Sequence, residues 1–151
     1  MTSSELKEQL LQLHPSLSFE EGAEWLHTNV EAVDWIGLAG TLRNNPILSF
    51  DFLFCVTCVD WKAHLSMVYH LRSTKHGHTL VVKSKLNREN PEIESVSGVW
   101  RTAEFHEREA YDLFGVKFLN HPDLRRLFLT DDWVGWPLRK DYEDPVNMIK
   151  L

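Results

Sequence analysis

The alternation of apolar and polar residues is clearest between positions 47 and 86, where three strands follow one another. "ILSFDFLFCV" sends Leu48, Phe50, Phe52, Phe54 and Val56 to one face, the period of two expected of a half-buried strand. "HLSMVYHLR" repeats the pattern with Leu65, Met67, Tyr69 and Leu71. "KHGH" supplies a hairpin turn, and "TLVVKSKL" then sets Leu80, Val82 and Leu86 inward against Lys83 and Lys85 outward. The pattern predicts an antiparallel meander whose apolar face must be covered.

Helical spacing flanks this meander. Residues 3–13 place Leu6, Leu10 and Leu13 on one face, with Pro15 beyond the end. "AEWLHTNV" reads as a first strand with weak alternation. "VEAVDWIGLAGTLRNNP" reads as a helix with Val33, Ile36 and Leu42 among its apolar positions, stopped by Asn44-Asn45-Pro46. The main helix begins somewhere within 91–97 and runs to Phe114, where Gly115 supplies a left-handed end. A short strand follows, and residues 119–151 form an irregular, aromatic C-terminal tail. The expected fold is α+β, an antiparallel sheet covered by helices, with residues 1–151 as a single domain.

Composition narrows the functional classes. The formal charge of −6 argues against a nucleic-acid reader. Residues 1–46 carry seven acids against Lys7 and Arg43, whereas the remainder nearly balances fifteen acids with fourteen bases. The start lacks the basic and apolar regions of a secretory signal. The longest apolar run, "FLFCVTCV", is bracketed by Asp51 and Asp60 and is far shorter than the ~20 residues of a spanning helix. Two cysteines make no disulfide framework, which fits a reducing cytoplasm.

"HEREAYDLFG" is the densest run of charge. On a helix, Glu107 falls inside the apolar arc of Val96, Val99, Trp100, Ala103, Ala110, Tyr111 and Phe114. Glu104–Arg108 and Arg108–Asp112 are opposite-charge pairs at i, i+4, while Glu109 points nearly opposite to Glu107. The two glutamates therefore cannot act as a close carboxylate pair. Three readings of Glu107 stand: an edge position reaching solvent, a buried carboxylate paired with Arg125 or Arg126 of "HPDLRR", or a general base. The last lacks a partner and ranks lowest.

Metal and redox readings are weak. Cys55 and Cys58 have CxxC spacing, but residues three apart on a strand face opposite sides, and no second CxxC exists. Both read as small strand residues, with Cys58 facing the side of Phe54 and Val56. His76 and His78 flank the hairpin glycine, where histidines are usually solvated. His106, Glu109, His121 and Asp123 lack the HxxxH or HExxH spacing of helical zinc sites, and no nucleotide or hydrolase motif appears. "DDWVGWPLRKDY" sets Trp133, Trp136 and Tyr142 beside Arg139 in a segment too rich in Gly, Pro and Asp for a regular element. These rings suit interface anchors, or fold back over the sheet.

The run from His106 to Tyr142 resembles the signature of the respiratory complex I thirty-kilodalton subunit family, known as the C subunit in the bacterial NADH-quinone oxidoreductase and as the J subunit in the photosynthetic form. Its first part matches Glu107, Arg108, Glu109, Asp112, Leu113, Phe114, Gly115 and Val116. The second matches His121, Pro122, Asp123, Leu124, Arg125 and Arg126. The third matches Asp132, Trp133, Gly135, Pro137, Leu138, Arg139, Lys140, Asp141 and Tyr142. The resemblance implies a hydrophilic-arm subunit of a proton-translocating NADH- or ferredoxin-quinone oxidoreductase. It would support the forty-nine-kilodalton-type subunit near the quinone site, with no catalytic residue, cofactor or metal of its own. Other hydrophilic-arm subunits would be further partners. The protein would sit peripherally on the cytoplasmic side of the cell (inner) membrane, touching it only through the complex. Glu107, Arg108, Glu109, Asp112, His121, Pro122, Asp123, Arg125, Arg126, Trp133, Trp136 and Arg139 would then be structural or interface residues. The equivalent subunit of a membrane-bound hydrogenase-type complex is the alternative. A stand-alone metal hydrolase using His106, Glu107 and His121 is the competing class.

Overall fold

A computed structural model describes residues 1–20 and 23–148. Helix α1 (Ser3–Leu13) begins with a capping box. The Thr2 hydroxyl accepts the Glu5 N–H at 3.3 Å, and the Glu5 carboxylate accepts the Thr2 N–H at 2.7 Å. Leu6 and Leu10 are buried as the spacing predicts, but Leu13, the last residue of the helix, is 39% exposed. Helix α2 (Trp35–Asn44) starts later than its sequence suggests. It turns Trp35, Leu38, Ala39 and Leu42 inward and leaves Val33 in the turn before it, exposed. Ile36 is on the solvent side of the same helix.

Strands β1 (Ser18–Glu20), β2 (Leu26–Asn29), β3 (Phe52–Asp60), β4 (His64–Arg72) and β5 (Thr79–Asn87) form one sheet in the order β1-β2-β5-β4-β3. The β3–β4–β5 portion is the expected antiparallel meander. The sheet is nevertheless mixed, because β2 pairs parallel to β5. Helix α2 lies in the connection between β2 and β3. Strands β6 (Glu92–Glu94) and β7 (Lys117–Leu119) form a small parallel pair. Between them lies α3 (Ala103–Phe114), which begins later than expected because 92–94 pairs with β7 and 96–101 turns. That turn is fastened to the edge strand region. The Trp100 indole N–H donates to the Phe50 carbonyl at 2.8 Å, and the Thr102 hydroxyl donates to the Leu53 carbonyl at 2.8 Å.

One face of the sheet carries Leu53, Val56, Cys58, Leu65, Met67, Tyr69, Leu71, Leu80, Val82 and Leu86 into a core shared with Leu6, Leu10, Trp35, Leu38 and Trp100. The strict alternation expected across 48–56 fails at β3. Leu53 pairs with Leu71 and Cys55 with His70, so Phe54 is an extra residue in a bulge. Leu48 and Phe50 remain buried before the strand, but Phe52 and Phe54 leave the core for the opposite face. Cys58 follows Val56 inward and Phe54 does not. Cys55 and Cys58 are free thiols on opposite faces.

Leu71 is fully buried at the centre of the meander. Leu71→Ala is expected to cost about 2–5 kcal/mol of stability, read as a lower midpoint in urea unfolding with little change in slope.

Candidate functional site

Helix α3 buries an unusual set of side chains: Ala103, Glu107, Arg108, Ala110 and Asp112. An amphipathic helix with three charges on its covered face must supply each of them with partners. Glu107 is 0% exposed, which removes the solvent-reaching reading. Its Oε1 accepts the Val96 N–H at 2.8 Å, and its Oε2 accepts the Ser95 hydroxyl at 2.6 Å. The His121 Nε2 lies 3.7 Å from Oε2. The Asp123 N–H donates to His121 Nδ1 at 3.0 Å, so the ring proton sits on Nε2, which donates to the Glu104 carbonyl at 3.0 Å. Burial pushes the Glu107 carboxyl up to about 7, and the Ser95 and Val96 bonds pull it only part of the way back. The expected arginine partner is absent. Arg125 is exposed and bonds Asp123 at 2.9 Å, and Arg126 is taken by Asp112.

Asp112 holds the start of the tail. Its Oδ2 accepts three consecutive backbone N–H groups, from Leu127 at 3.1 Å, Phe128 at 2.7 Å and Leu129 at 3.1 Å. Its Oδ1 accepts the Arg126 guanidinium at 3.0 Å. Burial alone would raise this carboxyl, but the three N–H groups and Arg126 outweigh it and hold it below the ordinary carboxylate range. Arg126 also donates to the carbonyls of Asp112, Trp133 and Gly135 at 2.8, 3.0 and 3.1 Å, and its guanidinium lies 4.6 Å from the Trp136 ring centre. Arg108 donates to the carbonyls of Arg125 at 3.2 Å and Arg126 at 3.0 Å, and stacks over Phe105. The helical pairs Glu104–Arg108 and Arg108–Asp112 therefore give way to bonds with the tail backbone. An irregular segment has carbonyls and N–H groups that nothing else satisfies.

Two further contacts close the tail over the end of α3, and a third ties it to the end of the sheet. Gly115 ends the helix at φ 76°, and a Cβ there would lie 2.5 Å from the Trp136 ring. Arg139 Nε donates to the last-turn carbonyl of Phe114 at 2.7 Å, where the helix end favours a cation. Asp60, buried at the end of β3, accepts the N–H of Lys140 at 2.8 Å and of Lys62 at 2.7 Å, and pairs with Arg88. Arg88 in turn reaches Asp141 at 2.7 Å. Burial works against the Asp60 charge, yet Arg88 and the two N–H groups hold its carboxyl well below the usual range.

Asp60 and Arg88 escaped the sequence reading. The available signal was an acid in the core-facing phase of Val56 and Cys58, the same kind of misplaced charge that marks Glu107. Of the expected residues, Glu109, Pro122 and Asp123 are exposed, and Trp133 is half-buried with its indole N–H unpaired. His106 does not complete a metal site with Glu107 and His121. Among the described residues, no three His, Cys, Asp or Glu side chains are grouped to hold a metal ion.

Two outcomes are expected. Gly115→Ala forces a left-handed conformation costing about 1–2 kcal/mol and drives a methyl into Trp136. Faster proteolysis within 126–142 and a lowered unfolding midpoint are the readouts. For Glu107, the folded carboxyl binds its proton more tightly than the unfolded one, whose ordinary value is 4.5. Stability is therefore lost as pH rises from about 4.5 to about 7. Glu107→Gln should match the wild type near pH 4 and exceed it at pH 8 by about 3 kcal/mol, from urea titrations at each pH.

Residues 28–146 match the family of the respiratory-chain NADH dehydrogenase, 30 Kd subunit. The chain is 40% identical over 137 residues to the C subunit of NADH-quinone oxidoreductase from Moorella thermoacetica, covering 89% of this chain and 91% of that one. It is 52% identical over 103 residues to the joint C/D subunit of the same enzyme from Phocaeicola vulgatus, where the match covers 67% of this chain and 20% of that one. Against the C subunit from Chloroherpeton thalassium the match spans 49% of the relative's length. Two solved structures share the fold at 24% identity. One, from an archaeal membrane-bound sulfane sulfur reductase, has a TM-score of 0.80 over 93% of this chain and 85% of that one. The other, a trypsin-resistant fragment of Nqo5, has a TM-score of 0.70 over 82% of this chain and 100% of that one. The chain belongs to the family of the respiratory-chain NADH dehydrogenase 30 Kd subunit.

Proposed function

We propose that this protein is a non-catalytic hydrophilic-arm subunit of a proton-translocating NADH- or ferredoxin-quinone oxidoreductase. In that role it supports the forty-nine-kilodalton-type subunit near the quinone site. One observation carries the reading: the buried charges of the signature bond backbone of the same chain and hold a tail whose apolar side chains face out. Phe128 is 68% exposed, Val134 86% and Leu138 53%. Large apolar side chains displayed on a fastened segment suit a protein interface. A surface cleft of about 420 Å³, lined by Asp132, Trp133, Val134, Tyr142 and Asp144, continues the same face.

The relatives named for both C and D support the partner. They join in one chain two subunits that other organisms name separately, and fused subunits share a site in their assembly. Attachment to the cytoplasmic side of the cell membrane would come through the complex. Among the described residues, no helix is long and apolar enough to cross a membrane. The equivalent place in a hydrogenase-type complex is the alternative, and the same fold would serve it.

Affinity purification of the tagged protein from solubilised membranes tests this reading. Wild-type protein is expected to bring down the forty-nine-kilodalton-type subunit and its neighbours. Phe128→Asp with Val134→Asp should lower that recovery about tenfold or more, while leaving the unfolding midpoint of the isolated chain unchanged. Recovery at the wild-type level would remove the tail from the interface, and recovery of hydrogenase subunits would favour the alternative.

A further inference from the structure

The Glu107 carboxylate is the inner end of a hydrogen-bonded chain that begins at the surface. Ser97, half-buried, lines an open cleft of about 600 Å³ together with Arg43, Arg101, Glu104 and Asn120. Its hydroxyl lies 2.8 Å from the Ser95 hydroxyl, which lies 2.6 Å from Glu107 Oε2. A hydroxyl both donates and accepts, so this pair can run in either direction. With Glu107 charged, Ser97 donates to Ser95 and Ser95 donates to Oε2. With Glu107 protonated, the acid proton goes to Ser95 Oγ, Ser95 donates to Ser97, and Ser97 donates to the water of the cleft. The Ser97 N–H on Ser95 Oγ at 3.2 Å and the Val96 N–H on Oε1 at 2.8 Å are compatible with both directions.

The His121 Nε2–H has a second acceptor close by. It donates to the Glu104 carbonyl at 3.0 Å, and Glu107 Oε2 is 3.7 Å away. Both side chains are fully buried, which removes solvent as a third acceptor. The Asp123 N–H on Nδ1 at 3.0 Å favours the neutral ring, because an imidazolium would lose that bond. The other groups around the carboxyl do not titrate with it. Tyr69 of β4 lies close enough to feel its charge, and burial together with that charge raises the phenol well above its ordinary range. Cys58 of β3, beside Tyr69, is pushed up to about 12, chiefly by burial. Glu94 of β6 is bonded by Asn120, Arg108 turns to the tail carbonyls, and Asp112 pairs with Arg126. Arg43, Arg101 and Glu104 line the cleft at the outer end of the chain.

We propose that Glu107 and His121 form a proton-operated switch on the turn that leads into the tail. With the carboxyl protonated, the His121 N–H stays on the Glu104 carbonyl. When the proton leaves through Ser95 and Ser97 to water, the charged Oε2 takes that N–H instead, because a carboxylate is the stronger acceptor. The ring carries Asp123 with it through Nδ1, and so moves the 121–126 turn whose Arg125 and Arg126 carbonyls hold Arg108. Burial sets the Glu107 carboxyl at about 7, so both states are populated near neutrality. The device lies wholly within this chain and stands apart from the proposed place in a complex.

Nuclear magnetic resonance of the full chain, from about pH 5.5 to about pH 8.5, tests the switch. The His121 Nε2–H and Asp123 N–H signals are expected to move together with one midpoint near 7, the ring keeping its tautomer. Corrected for the ordinary hydroxide dependence, the Nε2–H should exchange with solvent about tenfold more slowly above the midpoint than below it, as a charge-assisted bond requires. Glu107→Gln, neutral at every pH, should hold the low-pH pattern throughout. Ser97→Ala should leave the midpoint in place but broaden the signals through it, because the carboxyl loses its path to water. Wild-type signals that stay fixed across the range would overturn the switch. So would a shift that persists in Glu107→Gln with both ring nitrogens moving toward the imidazolium, since His121 would then be titrating by itself. Signals of Ser97→Ala as sharp as those of the wild type would overturn the route through the serines.

Discussion

The carboxylate of Asp112 collects the N–H groups of Leu127, Phe128 and Leu129 together with the guanidinium of Arg126, and the geometry of the C-terminal tail depends on that collection. Three successive amides converging on one oxygen fix the chain direction at the point where regular structure ends. From there Arg126 reads the carbonyls of Trp133 and Gly135 and stacks on Trp136, so a segment seven to ten residues further along is positioned by the same ion pair. The Asp60–Arg88–Asp141 chain anchors the far end to the sheet. A charge that collects several hydrogen bonds loses them together when it is removed, so this segment is held cooperatively.

Two buried carboxylates, five residues apart on one helix, have opposite acid–base behaviour. Glu107 receives one amide and one hydroxyl, too little to offset its burial, and its affinity for a proton rises. Asp112 receives three amides and an arginine, and its affinity for a proton falls. Burial alone does not decide which way a carboxyl moves; the number of donors that converge on it does. A raised carboxyl in an open cavity would invite an acid–base role. Glu107 instead touches the 95–97 turn and His121, all within the chain, and holds together the elements on either side of α3.

Local chemistry made much of this fold readable. The α1 spacing, the meander and the glycine end of α3 each rest on a short-range rule, and all three are present. The failures share a long-range cause. Phe52 and Phe54 obey the alternation of a strand, but the bulge between Leu53 and Cys55 reverses their side, next to the Phe50 and Leu53 carbonyls that accept the Trp100 and Thr102 bonds from the 96–102 turn. The parallel pairing of β2 with β5, like that of β6 with β7, joins segments that no local pattern links. Arg108 looked like the centre of two helical ion pairs because i, i+4 geometry permits them. The tail carbonyls displaced those partners, since solvent was no longer there to satisfy them. Glu107 was legible as a misplaced charge, while its partners were not, because Ser95 and Val96 lie in a turn that the sequence pattern merged with the helix.

The tail inverts the usual division of labour between side chains. In a regular element the backbone satisfies itself and apolar side chains turn inward. Here the backbone is irregular, and Asp112, Arg108, Arg126 and Asp60 turn toward it to supply the missing donors and acceptors. With charged groups satisfying the backbone from within, Phe128, Val134 and Leu138 are left facing out on a segment that is nonetheless held at several points. A surface of this kind has a shape that neither a helix nor a strand can offer, and less conformational entropy is lost when it meets a partner than for a loose loop. The density of charge in the signature follows from that requirement. Its residues hold a surface in place.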